Sequence, residues 1–82
     1  MTNEKELYST TDFYTTAILV ATEFEVVQIT TEGPSNKVKR FHFEDTLDLR
    51  AIIKDYLNGK LVGDFRTFKN SIETVKDMVH GS

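Results

Sequence analysis

The sequence predicts an α+β domain in which a small antiparallel sheet packs against three helices, in the order β-α-β-β-α-α. Three observations carry that prediction. A Val/Ile/Thr-rich run, FEVVQITT, and a basic-aromatic run, KVKRFHFED, flank the chain's single Gly-Pro cluster, EGPSN. That is the pattern of a hairpin, with strands at 24–31 and 37–44. Leu49, Ile52, Ile53 and Tyr56 then repeat at the i, i+3, i+4, i+7 spacing of a helix face, followed by Asn58-Gly59 as a left-handed C-terminal stop. Phe65, Phe68, Ile72, Val75 and Val79 form a narrower seam, spaced three, four, three and four, which suits a helix packed on one neighbour.

The remaining elements follow in chain order. Residues 1–6 are polar and expected to fray, as are 80–82. LYST at 7–10 reads as a short edge strand. Thr11 is placed to cap the first helix, with Asp12 in its first turn where the helix dipole favours a negative charge. Phe13, Ala17, Val20 and Phe24, with Tyr14, Ile18 and Ala21 beside them, give a broad apolar face. Thr15, Thr16, Val20 and Thr22 weaken this helix through β-branching, so packing must hold it. Asp45 or Thr46 caps the second helix and Asp64 the third. KLVG at 60–63 is a connector or a very short strand.

At 82 residues the chain is expected to be one small domain, 1–82, with room for a core and none for a deep cleft between domains. Ten basic and thirteen acidic residues give a net charge of −3, without the basic excess that supplies affinity to sequence-independent nucleic-acid binders. With no cysteine there are no disulfides, thiolate metal sites or thiol nucleophiles. The polar N-terminus does not read as a signal peptide, and the longest apolar run, AILVA, is too short for a bilayer. A soluble, cytoplasmic protein is expected.

The hairpin carries the main functional question. Lys39, Phe41 and Phe43 share one face of the second strand, while Val38, Arg40, His42 and Glu44 share the other. Exposed aromatics on such a strand stack bases in RNA-recognition-type folds, which begin β-α-β-β-α. The glycines that let bases approach such a sheet are missing, and the helices need an apolar face to cover, so Phe41 and Phe43 read as core. Pairing Phe41 with Val26 and Phe43 with Phe24 would complete that face. A one-residue shift would bring Val27 to Phe41, and the sequence leaves the two registers open. Lys37, Lys39, Arg40 and His42 form the candidate binding patch, against the alternative of a charged edge that deters aggregation. His42 and His80 lie far apart without clustered ligands, so no metal site is expected. No nucleophile–base pair, phosphate loop or dinucleotide fingerprint is visible, and neither catalysis nor a cofactor is expected. The seam Phe65, Phe68, Ile72, Val75 and Val79 is the candidate self-association surface, if it does not simply close the core.

Tyr8, Thr11 and Asp12, then Phe41 to Asp45, then Tyr56, Asn58 and Gly59, then Phe68, Lys69 and Asn70 together form a pattern spread over most of the chain. In it the sequence resembles a family of short bacterial and phage proteins classed as a domain of unknown function. It departs from that family at Glu23, where the family tends to carry glycine. The resemblance implies a mobile-element setting and transfers no catalytic residue. The expected function is therefore that of an accessory protein that binds another macromolecule, a protein partner or a second copy. A nucleic-acid module using the basic hairpin end is the alternative, and an acidic counter-defence protein that blocks a host protein is a further one. No membrane or small-molecule substrate is expected.

Overall fold

The computed structural model describes residues 6–80. Strand β1 (Leu7–Thr10) leads into helix α1 (Phe13–Ala21), then strand β2 (Val26–Glu32), a 3-10 turn (Pro34–Asn36), strand β3 (Val38–Glu44), helix α2 (Leu47–Leu57) and helix α3 (Phe65–His80). The fold is the expected α+β arrangement, β-α-β-β-α-α. Of the segments expected to fray, 1–5 and 81–82 lie outside the described residues. Glu6 is tied down instead, its carbonyl accepting from the Asp45 amide at 3.0 Å, and His80 belongs to α3.

The strand order is β1-β3-β2, with β3 antiparallel to both neighbours. β1 and β2 therefore run parallel to each other across β3, the split β-α-β arrangement. The hairpin register is neither of the two that the sequence left open. Ile29 lies opposite Phe41 and Val26 opposite Phe43, and the shift between Val26 and Gln28 is a β-bulge at Val27. The reason is spacing. Phe41 and Phe43 are two apart, as a strand face requires, but Val26 and Ile29 are three apart, and one surplus residue must be looped out to put both on the same face. The strands run 26–32 and 38–44 rather than 24–31 and 37–44, because the chain before Val26 is still completing the end of α1.

All three helices cover the Phe41/Phe43 face. Ala17, Leu19, Phe41, Phe43, Leu49 and Val75 form the buried cluster, with Tyr8, Val26, Ile29, Phe68 and Ile72 packed around it. Phe41 is 2% exposed and Phe43 0%. Helix α1 lies at the centre, with five consecutive buried residues from Thr15 to Leu19. That run is longer than one helical turn, so this helix meets neighbours on more than one side.

The buried threonines, a weakness by propensity, have a local explanation. The N-cap is Asp12 rather than Thr11, and its carboxylate accepts from both the amide and the hydroxyl of Thr15. The Thr16 hydroxyl donates to the Asp12 carbonyl at 3.0 Å. Their polar atoms thus enter the core already bonded. Thr46 caps α2 through the Leu49 amide at 3.1 Å. Asp64 accepts from the Thr67 amide at the start of α3, as the sequence suggests. Residues 60–63 form no strand.

Helices α1 and α2 end in the same way. After α1, Phe24 donates to Leu19 at 2.9 Å and Glu23 to Val20 at 3.0 Å; after α2, Lys60 donates to Asp55 at 2.8 Å and Gly59 to Tyr56 at 3.2 Å. These are paired 6→1 and 5→2 bonds of Schellman motifs, which need a left-handed residue at the turn. Gly59 provides it at φ 68° and Glu23 at φ 72°. The one departure from the family resemblance thus falls on a conformation that glycine adopts freely and glutamate does not.

Candidate binding surfaces

The candidate patch Lys37, Lys39, Arg40 and His42 is divided by the sheet. Arg40 and His42 lie on the face that the helices leave bare, where both are already engaged. Arg40 forks onto Glu32, with Nε to Oε2 at 3.1 Å and Nη2 to Oε1 at 2.9 Å, and its Nη1 donates to the Ser9 hydroxyl at 3.2 Å. That fork holds the Glu32 carboxyl below its ordinary range. The His42 ring nitrogen Nε2 lies 2.8 Å from the Thr30 hydroxyl. Its cross-strand neighbours are Ser9 and Gln28. The bare face is therefore a ladder of polar pairs tying β3 to both neighbours.

Lys37 and Lys39 belong elsewhere. Lys39 shares the inner face with Phe41 but sits beyond the end of the core, and Lys37 follows the turn. Both border a cavity of about 330 Å³ whose opposite wall is the last part of α3, carrying Lys76, Val79 and His80. Its floor includes Phe13 and Phe41, and among the described residues no carboxylate lines it. The nearest acid that Lys76 meets is Glu73, at 3.9 Å, a loose exposed pair worth little. Lys76 and His80 were not part of the patch read from the sequence. Their i, i+4 spacing marks a common helix face, but only the packing of α3 brings that face to the start of β3.

The candidate self-association seam is also divided. Val75 is fully buried, and Phe68, Ile72 and Val79 pack against the core, so these four close the domain. Phe65 does not: it is 90% exposed. It stands on the rim of a second and larger cavity, about 490 Å³, between the ends of α1 and α2 and the start of α3. Ile18, Ala21, Tyr56, Leu61 and Phe68 line this cleft. Val62, 93% exposed in the connector, lies on the same rim. The connector gave no periodic signal, which is why the sequence did not mark it.

Near the other end of the sheet, Arg50 forks onto Asp45 at 2.8 and 2.7 Å and lies over the Tyr8 ring at 5.6 Å. The forked bond holds the Asp45 carboxyl below its ordinary range. The fork holds Arg50 at the start of α2, and its contact with the Tyr8 ring links α2 to β1. Most of the positions that carry the family resemblance have comparable tasks. Asp12 caps, Phe41 and Phe43 fill the core, Gly59 turns the chain and Phe68 packs. Lys69 and Asn70 are exposed on α3. Among the described residues no group of His, Asp and Glu is arranged to hold a metal ion, and no helix is long and apolar enough to cross a membrane.

Comparison with curated proteins and with solved structures returns no match. The family model described as "Domain of unknown function (DUF5659)" matches residues 5–81, nearly the whole chain, and the protein belongs to that family.

Proposed function

We propose that this is a non-catalytic accessory protein of the phage or mobile-element type, acting through protein–protein contact, and that its first partner is a second copy of itself. The observation that carries this reading is the apolar cleft with Phe65 on its rim. Single exposed apolar residues are ordinary on a protein surface, but an aromatic and a valine exposed together beside an apolar cavity are not. Phe65 is a projecting ring next to a hole of about 490 Å³. A patch that holds both knob and hole is complementary to itself, which is the requirement of a two-fold interface. Each Phe65 would enter the partner's cleft, with Val62 packing beside it.

Phe41 and Phe43 are buried in the core rather than open to stacking, and the Arg40 fork is occupied by Glu32. Both weigh against the nucleic-acid alternative. Light scattering over a concentration series tests the proposal: the mass should rise from one chain to two, and Phe65→Ser should hold it at one. A single-chain mass at every concentration, or a dimer indifferent to Phe65→Ser, would overturn it. Phe65 is exposed, so this substitution leaves the core intact.

A further inference from the structure

The basic cavity at the far end of α3 is separate from the cleft. Along α3 their lining residues come no nearer than Phe68 and Lys76, about 12 Å of helix at 1.5 Å per residue. Lys37, Lys39, Lys76 and His80 surround a partly apolar floor, with no carboxylate among the described residues that line it. Gathering three lysines and a histidine around one opening, with Lys37 and Lys76 exposed and Lys39 half-buried, concentrates positive potential there, although the whole chain carries −3.

We infer that this groove binds an acidic segment of a protein partner. One apolar side chain of the segment enters between Phe13 and Val79, and its flanking carboxylates rest on Lys37, Lys39 and Lys76. The two halves of the site demand that chemistry. The lysines call for anionic groups, whereas the apolar floor excludes a ligand that is charged throughout. A volume of about 330 Å³ accommodates a single large side chain, at the lower end of the range for specific pockets. A nucleic-acid strand fits less well. It needs a basic track along successive phosphates and rings on which to stack. Here the cations are confined to one opening, and Phe41 and Phe43, 2% and 0% exposed, offer no ring face for stacking.

Fluorescence anisotropy with a labelled peptide of glutamates flanking a central phenylalanine tests this site on the full chain. Binding should saturate, weaken with added salt, and fall about tenfold or more for Lys76→Glu and for Lys39→Glu, as loss of a charged contact implies. Replacing the peptide's phenylalanine by glycine should weaken binding by a similar factor, since the apolar half of the site is then unused. Circular dichroism verifies that both variants remain folded. Three outcomes would overturn the inference: no saturable binding, affinity indifferent to both charge reversals, or equal affinity for the glycine peptide. A single-stranded oligonucleotide that binds more tightly than the peptide, and loses its affinity in Lys76→Glu, would reassign the groove to nucleic acid and overturn it as well. Phe65→Ser should leave peptide binding unchanged, so failure of self-association and failure of this site read out independently.

Discussion

Replacing Glu23 by glycine should make the protein more stable. Glu23 holds the left-handed position of the Schellman turn after α1, at φ 72°. That conformation costs a residue with a side chain about 1–2 kcal/mol. The substitution removes this cost, but glycine also loosens the unfolded chain, which returns about 0.4–1 kcal/mol of the gain. The expected net stabilisation is about 0.5–1 kcal/mol. Glu23 is exposed and its carboxylate makes no hydrogen bond among the described residues, so little is lost with the side chain. For a domain of this size such a gain raises the Tm by roughly 2–8 °C. Gly59 supplies the mirror experiment, because it occupies the equivalent position after α2 at φ 68° and a Cβ there would meet nothing within 4 Å. Gly59→Ala should therefore lose about 0.5–1 kcal/mol from conformation alone. Urea unfolding followed by circular dichroism measures both, with the slope unchanged if only the native turn is affected. If Gly59→Ala destabilises while Glu23→Gly is neutral or harmful, the equivalence of the two turns is refuted.

Two further outcomes follow from the sheet and from the Asp45–Arg50 pair. Phe43→Ala should cost about 3–5 kcal/mol, and the adjacent His42→Ala no more than about 1 kcal/mol; comparable costs in urea unfolding would contradict the assignment of faces. Because Arg50 lowers the folded-state value of the Asp45 carboxyl below its ordinary 3.8, the pair's contribution is complete above that value and disappears as pH falls through the depressed one. The stability gap between the parent and Asp45→Asn should therefore be present at neutral pH and close in acid, and a gap constant with pH would count against the pairing.

Much of the fold was legible because local rules and tertiary packing agree. Asn58-Gly59, the Thr46 and Asp64 caps and the 65–79 seam are each specified within a few residues. The strand at 7–10 was also readable, although four residues make a weak pattern. The failures share a cause. Thr15 and Thr16 looked like poor helix formers because their bonds to Asp12 are invisible to propensity. The register turns on a bulge: Val26 and Ile29 are three apart where Phe41 and Phe43 are two apart, and alternation within either strand alone does not show which residue loops out. The two cavities depend on how α3 crosses the other elements, so Lys37 and Lys39 could be named without their partners Lys76 and His80. Likewise, Phe65 was grouped with four residues that turned out to be core.

The bulge at Val27 also determines where the chain can change length. Removing Val27 would leave Val26 opposite Phe43 and Gln28 opposite His42, now consecutive in an unbroken ladder, with every inner residue still inner. The strand would lose the extra bend that a bulge provides, and the deleted side chain is half exposed. A single-residue deletion elsewhere in the middle of β2 or β3 has no such protection, since it exchanges core and solvent faces from that point onward. Val27 is thus the position in this hairpin where a deletion is silent to the core.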